Sequence, residues 1–156
     1  MGKRKIRRGG GFTGFTLIEL MVALCILGLL TSLAVPMART AIKRQKEREL
    51  RYDLRLMRDA IDRYKDATDK NLFVKTDSTG YPKSLDILVK GVEISGGKTV
   101  RFLREIPTDP MTGKAEWGMR SMEDDPDSDS WDETAVYDIY SKAEGTGMDG
   151  TKYRTW

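Results

Sequence analysis

From Leu50 onward the apolar residues Leu50, Leu54, Met57, Ile61 and Tyr64 recur at spacings of four, three, four and three, with charged residues filling the positions between. That period winds one apolar stripe along an amphipathic helix, with Ile42 as a further apolar position upstream. Three i,i+4 pairs, Glu47/Arg51, Arg58/Asp62 and Asp59/Arg63, support the same helix from its polar faces. Two heptads are too few for a coiled coil, so the stripe is expected to pack on the chain's own domain. Upstream the pattern is different. Residues 15–36 are apolar almost throughout and carry a single carboxylate, Glu19. Wound as a helix they span roughly 33 Å, which matches the roughly 30 Å hydrocarbon core of a bilayer. The two stretches together predict one helix running from the apolar segment through residues 37–70, kinked or loosened at Pro36, which has no backbone donor.

Beyond Lys70 the helical period stops. DSTGYP, residues 77–82, is a turn cluster, and SLDILVKG predicts a short helix with Ser84 as its N-cap and Gly91 ending it. Gly96-Gly97 and residues 107–113 punctuate the chain, leaving short strands near residues 114–121 and 134–142. In TAVYDIYSK the alternation puts Ala135, Tyr137 and Ile139 on one face and Val136, Asp138 and Tyr140 on the other. The fold class is therefore α+β, a long N-terminal helix with a membrane-spanning first half, packed on a small antiparallel β-sheet.

Composition narrows the chemistry. The chain has 156 residues, no histidine and one cysteine. That excludes Ser/His/Asp and Cys/His nucleophile arrangements, His-containing zinc patterns and an internal disulfide. Cys25 lies inside the apolar run, where a small packing residue is expected. The formal charge of +3 is concentrated in Lys3, Arg4, Lys5, Arg7 and Arg8. Without those five, 22 basic residues face 24 acidic ones, which gives no basic signature for nucleic acid. The second cluster, Arg39, Lys43, Arg44 and Lys46, is diluted by Glu47 and Glu49 and reads as a solvated face. The five leading charges beside the apolar run favour a cytoplasmic N-terminus.

A cleavable secretory signal also has a basic start and an apolar stretch, but its apolar region is usually about 7 to 15 residues, and this run is longer and contains Glu19. The glycines Gly9, Gly10, Gly11 and Gly14 give an approach without bulk, which lets a protease accept an extended chain and cut between Gly14 and Phe15. The cut creates an α-amino group on Phe15 at the edge of the apolar layer. Glu19, four residues later, is its natural counter-ion, in the same chain or in a neighbour. At this point GFTLIELMV, residues 14–22, read with its basic leader, resembles the processing segment of type IV pilins and type II secretion pseudopilins. The resemblance implies cleavage after Gly14 by a prepilin peptidase, N-methylation of Phe15, and a Glu19 that meets the Phe15 amine of an adjacent subunit during assembly. It divides the chain into a leader over 1–14, a transmembrane and assembly helix over 15–36, the amphipathic half of the helix over 37–70 and a periplasmic head over 71–156.

GYPKSLDILV, FLREIPTDPMTGKAEW and VYDIYSKAEGTGMDGTKYRTW, residues 80–89, 102–117 and 136–156, are similar in order to segments of the major pseudopilins of type II secretion. Adhesive type IV pilins usually close their C-terminal loop with a disulfide, whereas the single cysteine here is Cys25. The resemblance implies a helical homopolymer that works with minor pseudopilins and an inner-membrane assembly platform. It also implies calcium in the C-terminal loop, held by a serine, backbone carbonyls and acidic side chains; Ser141 and Asp149 match part of that set, and the usual acidic pair nearer the end is missing. Separately, MEDDPDSDSWDE, residues 122–133, packs seven carboxylates into a dozen residues. Asp125, Asp127 and Asp129 open like a calcium loop, but Ser130 stands at the glycine position and Val136 at that of the closing glutamate.

These readings favour a non-enzymatic subunit anchored once in the inner membrane and assembled into a periplasmic fibre for export of folded proteins. The alternatives are a type IV pilus subunit for adhesion, motility or DNA uptake, and a monomeric anchored module that binds calcium or a basic partner. Glu19 separates the last from the others, because a lone anchor has no use for a charge at that depth.

Overall fold

A computed structural model describes residues 14–73, 79–94, 96–125, 128 and 131–156. Residues 1–13 of the expected leader, Asp77 and Ser78 of the turn cluster, and Asp127 and Asp129 of the acidic segment lie outside the described residues. The chain divides between Ala41 and Ile42 into two compact units.

Helix α1 runs over Leu17–Asp69, 53 residues with Pro36 inside it. Its portion in the first unit is apolar and bare: Leu17 is 79% exposed, Leu24 59% and Leu30 59%. Among the described residues α1 is the one helix long and apolar enough to cross a membrane. Hydroxyls in this stretch bond back along the helix, Thr31 to the Leu27 carbonyl at 2.7 Å and Thr40 to the Pro36 carbonyl at 3.0 Å, so their polar groups are satisfied within the helix. At its far end α1 closes through Asn71 at φ 52, with Asn71 N donating to Thr68 O and Leu72 N to Ala67 O.

The second unit is built on the stripe. Leu50, Leu54, Met57, Ile61 and Tyr64 are all at 1% exposure or less, whereas Ile42 is 57% exposed and is not a core position. Tyr64, Phe73 and Phe102 form an aromatic cluster with centroids 5.1 to 6.5 Å apart. Helix α2, Leu85–Lys90, packs Leu85 and Leu88 onto this core. Ser84 takes the N-cap position, but its hydroxyl makes no capping bond. Gly91 ends the helix at φ 84, with its N–H on Ile87 O. A side chain there would meet Val100 O at 2.5 Å, so both the conformation and the space demand glycine.

Strands β1, Val92–Ile94, and β2, Lys98–Val100, pair antiparallel around Gly96-Gly97; the sequence pattern marked that glycine pair only as a break. Strands β3, Trp117–Arg120, and β4, Asp138–Ser141, form a second antiparallel pair with Trp117 opposite Ser141 and Arg120 opposite Asp138. The antiparallel structure is thus split between two two-stranded sheets. The expected strand over residues 134–142 forms only from Asp138, and burial along it does not alternate, since Ile139, Tyr140 and Ser141 are all buried. Ala135 and Val136 are both buried and Tyr137 is 45% exposed, because Val136 N donates to Pro82 O rather than to a strand partner. Tyr137 packs edge-on against Tyr81.

Candidate functional site

At the head of α1, Gly14 and Phe15 precede the first turn and Phe15 is 84% exposed. A Cβ on Gly14 would touch nothing within 4 Å, so this fold itself does not require glycine there. The Thr16 hydroxyl accepts a bond from Glu19 N at 3.3 Å and the Thr16 carbonyl accepts from Leu20 N at 3.1 Å. Thr16 therefore caps the helix with Glu19 three positions on, the order of a capping box, and the carboxylate lies at the positive end of the helix dipole. TLIE carries that signature in the sequence. The contact with Thr16 runs through the Glu19 N–H, so what the carboxylate itself gains within one chain is its place in the first turn, at the positive end of the dipole.

A second constellation lies within the second unit, where one face of α1 meets the C-terminal segment. Lys43 Nζ donates to Thr146 O at 2.9 Å. Glu47 Oε1 accepts from Met148 N and from the Tyr153 hydroxyl, each at 3.0 Å. Arg51 donates to Asp149 Oδ2 at 2.5 Å, and its guanidinium lies 4.0 Å from the Trp156 ring centroid. Arg58 bonds Asp138 at 2.6 Å and reaches the main-chain oxygens of Ile139 and Trp156 at 3.0 and 2.7 Å. Of the three expected i,i+4 pairs only Asp59/Arg63 forms as an ion pair, at 3.0 Å. Glu47, Arg51 and Arg58 turn to the C-terminal segment instead. A usable signal was present, since Glu47 and Thr68 continue the three-four spacing of the stripe at either end and both are buried. A charge on an apolar stripe calls for a buried partner.

The electrostatics follow from these contacts. Burial, then the bond to Glu47 and its charge, push the Tyr153 hydroxyl up to about 12. The Thr151 hydroxyl and N–H, and after them Arg51, hold Asp149 down at about 2. Asp53 is raised, first by burial and then by the charges of Glu49 and Asp109.

Ser141, in β4, is fully buried and donates to Asp109 Oδ2 at 2.6 Å while accepting from Ala143 N at 3.1 Å. Asp109 also holds its own loop, accepting from Met111 N at 2.7 Å. Asp125 is exposed. Among the described residues no three His, Cys, Asp or Glu side chains come together as a metal-holding group. Ser141 and Asp149 do not fit calcium in this arrangement: the Ser141 hydroxyl is fully buried and bonded to Asp109 and Ala143, and a guanidinium already neutralises the Asp149 carboxylate.

A long N-terminal helix with an exposed apolar first part, followed by an α+β head of small antiparallel sheets, is a type IV pilin-like fold. Over 105 residues the chain is 30% identical to type II secretion system core protein G of Pseudomonas aeruginosa, covering 63% of this chain and 67% of that relative. The chain belongs to the type II secretion pseudopilin family. No protein-family profile matches it, and no solved structure does.

Proposed function

We propose that the chain is a structural subunit of a periplasmic pseudopilus, stored in the inner membrane with its N-terminus cytoplasmic and polymerised to help export folded proteins. The observation that carries the proposal is the bare apolar portion of α1 with one carboxylate, Glu19, in its first turn. In a membrane that surface is covered by lipid, and in a fibre it is covered again by the same surface of neighbouring copies, a head-to-tail contact that does not close on itself. Before assembly a prepilin peptidase removes residues 1–14 and Phe15 is N-methylated. The new Phe15 amine of an incoming subunit then pairs with Glu19 of a resident one, so neither charge enters the water-poor core alone. Residues 37–70 carry the helix on from the membrane segment, with the stripe from Leu50 to Tyr64 forming the core on which residues 71–156 pack, and an inner-membrane platform and minor pseudopilins direct growth.

Mass spectrometry of the chain extracted from membranes tests this reading. The expected N-terminus is Phe15 carrying one added methyl group. An intact Met1, or a terminus near residues 34–39, would instead identify a plain anchor or a secretory signal.

A further inference from the structure

The C-terminal segment has to be held by something, because it has little regular structure of its own: residues 142–156 contain a single Thr146–Lys152 bridge and the 3-10 turn Tyr153–Thr155. What holds it is a row of side chains from α1. Lys43 takes the Thr146 carbonyl, Glu47 takes Met148 N and the Tyr153 hydroxyl, Arg51 takes Asp149, and Arg58 takes the Trp156 main-chain oxygen. At the centre Asp149 is tied on one oxygen by Thr151, through both its N–H and its hydroxyl, and on the other by Arg51. Trp156 covers the same guanidinium and donates its indole N–H to Thr151. A hard cation placed on Asp149 would have to displace Arg51, and it would lose the guanidinium's contact with the aromatic face. Thr151 and Trp156 could not replace the missing carboxylates.

We infer that in this chain the C-terminal loop is closed by protein cations in place of calcium, with the Arg51 guanidinium as the resident cation of Asp149. The sequence resemblance implied a bound metal at this loop, and the residues present supply its charge from α1. The loop then keeps its shape at any calcium level, and its closure depends on Arg51.

Thermal unfolding of the full chain in detergent micelles, followed by near-ultraviolet circular dichroism, tests this in 5 mM calcium and in excess chelator (both about these levels, well above typical weak-site affinities). Arg51→Met should lower the midpoint by roughly 4 to 8 °C in both buffers, and Arg51→Lys, which keeps the charge but loses the planar stack, should recover part of that loss. Calcium should not separate the wild-type curves through Asp149. If chelation lowers the wild-type midpoint and Asp149→Asn abolishes that response, Asp149 is a calcium ligand and the inference fails. A chelation response that survives Asp149→Asn comes from a site other than Asp149, and with the Arg51→Met loss unchanged in both buffers it supports the Arg51 closure. An Arg51→Met midpoint equal to wild type overturns the inference outright.

Discussion

Tyr153 shows how one residue couples the C-terminal segment to the helix. Its hydroxyl is the buried donor to Glu47, and burial first, then that bond and the Glu47 charge, make the phenol reluctant to ionise, with its pKa pushed up to about 12 from 10.0. The folded state therefore keeps this proton at pH values where the unfolded chain has lost it. Its contribution is fully present below about pH 10 and is lost as pH rises from about 10 towards 12, because over that range the folded state binds more protons than the unfolded one. Tyr153→Phe should cost about 0.5 to 1.5 kcal/mol at neutral pH through the lost hydrogen bond, and it should flatten the alkaline fall in stability relative to wild type. Urea midpoints of both chains across pH 8 to 11.5 check this. Parallel pH profiles would show that Tyr153 does not depend on Glu47 in this way.

Among the elements, the β3/β4 pair sets the tightest local constraint. Gly118 lies directly opposite Tyr140, and a Cβ there would come within 2.2 to 2.5 Å of the Tyr140 ring carbons. The ring cannot swing away, since it is 6% exposed and the Arg120 guanidinium covers it 4.0 Å from the centroid. Gly118→Ala should therefore destabilise the head by about 1 to 3 kcal/mol, the usual cost of overpacking. Most of that cost should vanish in a Tyr140→Leu background, a non-additive result expected of residues in contact; simple additivity in a double-mutant cycle would refute the clash. α1 was legible in the sequence because its stripe repeats at the helical period over many turns. The β1/β2 hairpin was not, because three-residue strands carry too little alternation to stand out beside a glycine pair. The destinations of Glu47, Arg51 and Arg58 were also hidden: an isolated helix offers each an i,i+4 partner, and only the returning C-terminal segment supplies better ones.

For the whole molecule, GFTLIEL already contained the main argument, since a carboxylate in an apolar run demands a reason. The structure adds a local setting for Glu19: its N–H bonds the Thr16 hydroxyl at the helix start, where a carboxylate also suits the positive end of the helix dipole. Glutamine serves a capping box as well as glutamate does, but it carries no charge. In the membrane an unpaired Glu19 near the helix end costs on the order of 3 kcal/mol or less, so its loss should leave insertion and cleavage intact. Under the charge pairing proposed between subunits, removing it would strand the neighbour's Phe15 amine at a cost of roughly 3 to 5 kcal/mol. The deciding measurement is the yield of sheared fibres, counted by electron microscopy, from cells making Glu19→Gln beside Glu19→Asp and wild type, with processing at Phe15 checked in each. Charge pairing predicts that Glu19→Gln is inserted and cut normally yet forms no fibres, while Glu19→Asp forms some; wild-type fibre yield from Glu19→Gln would contradict it and remove the charge from the account of assembly.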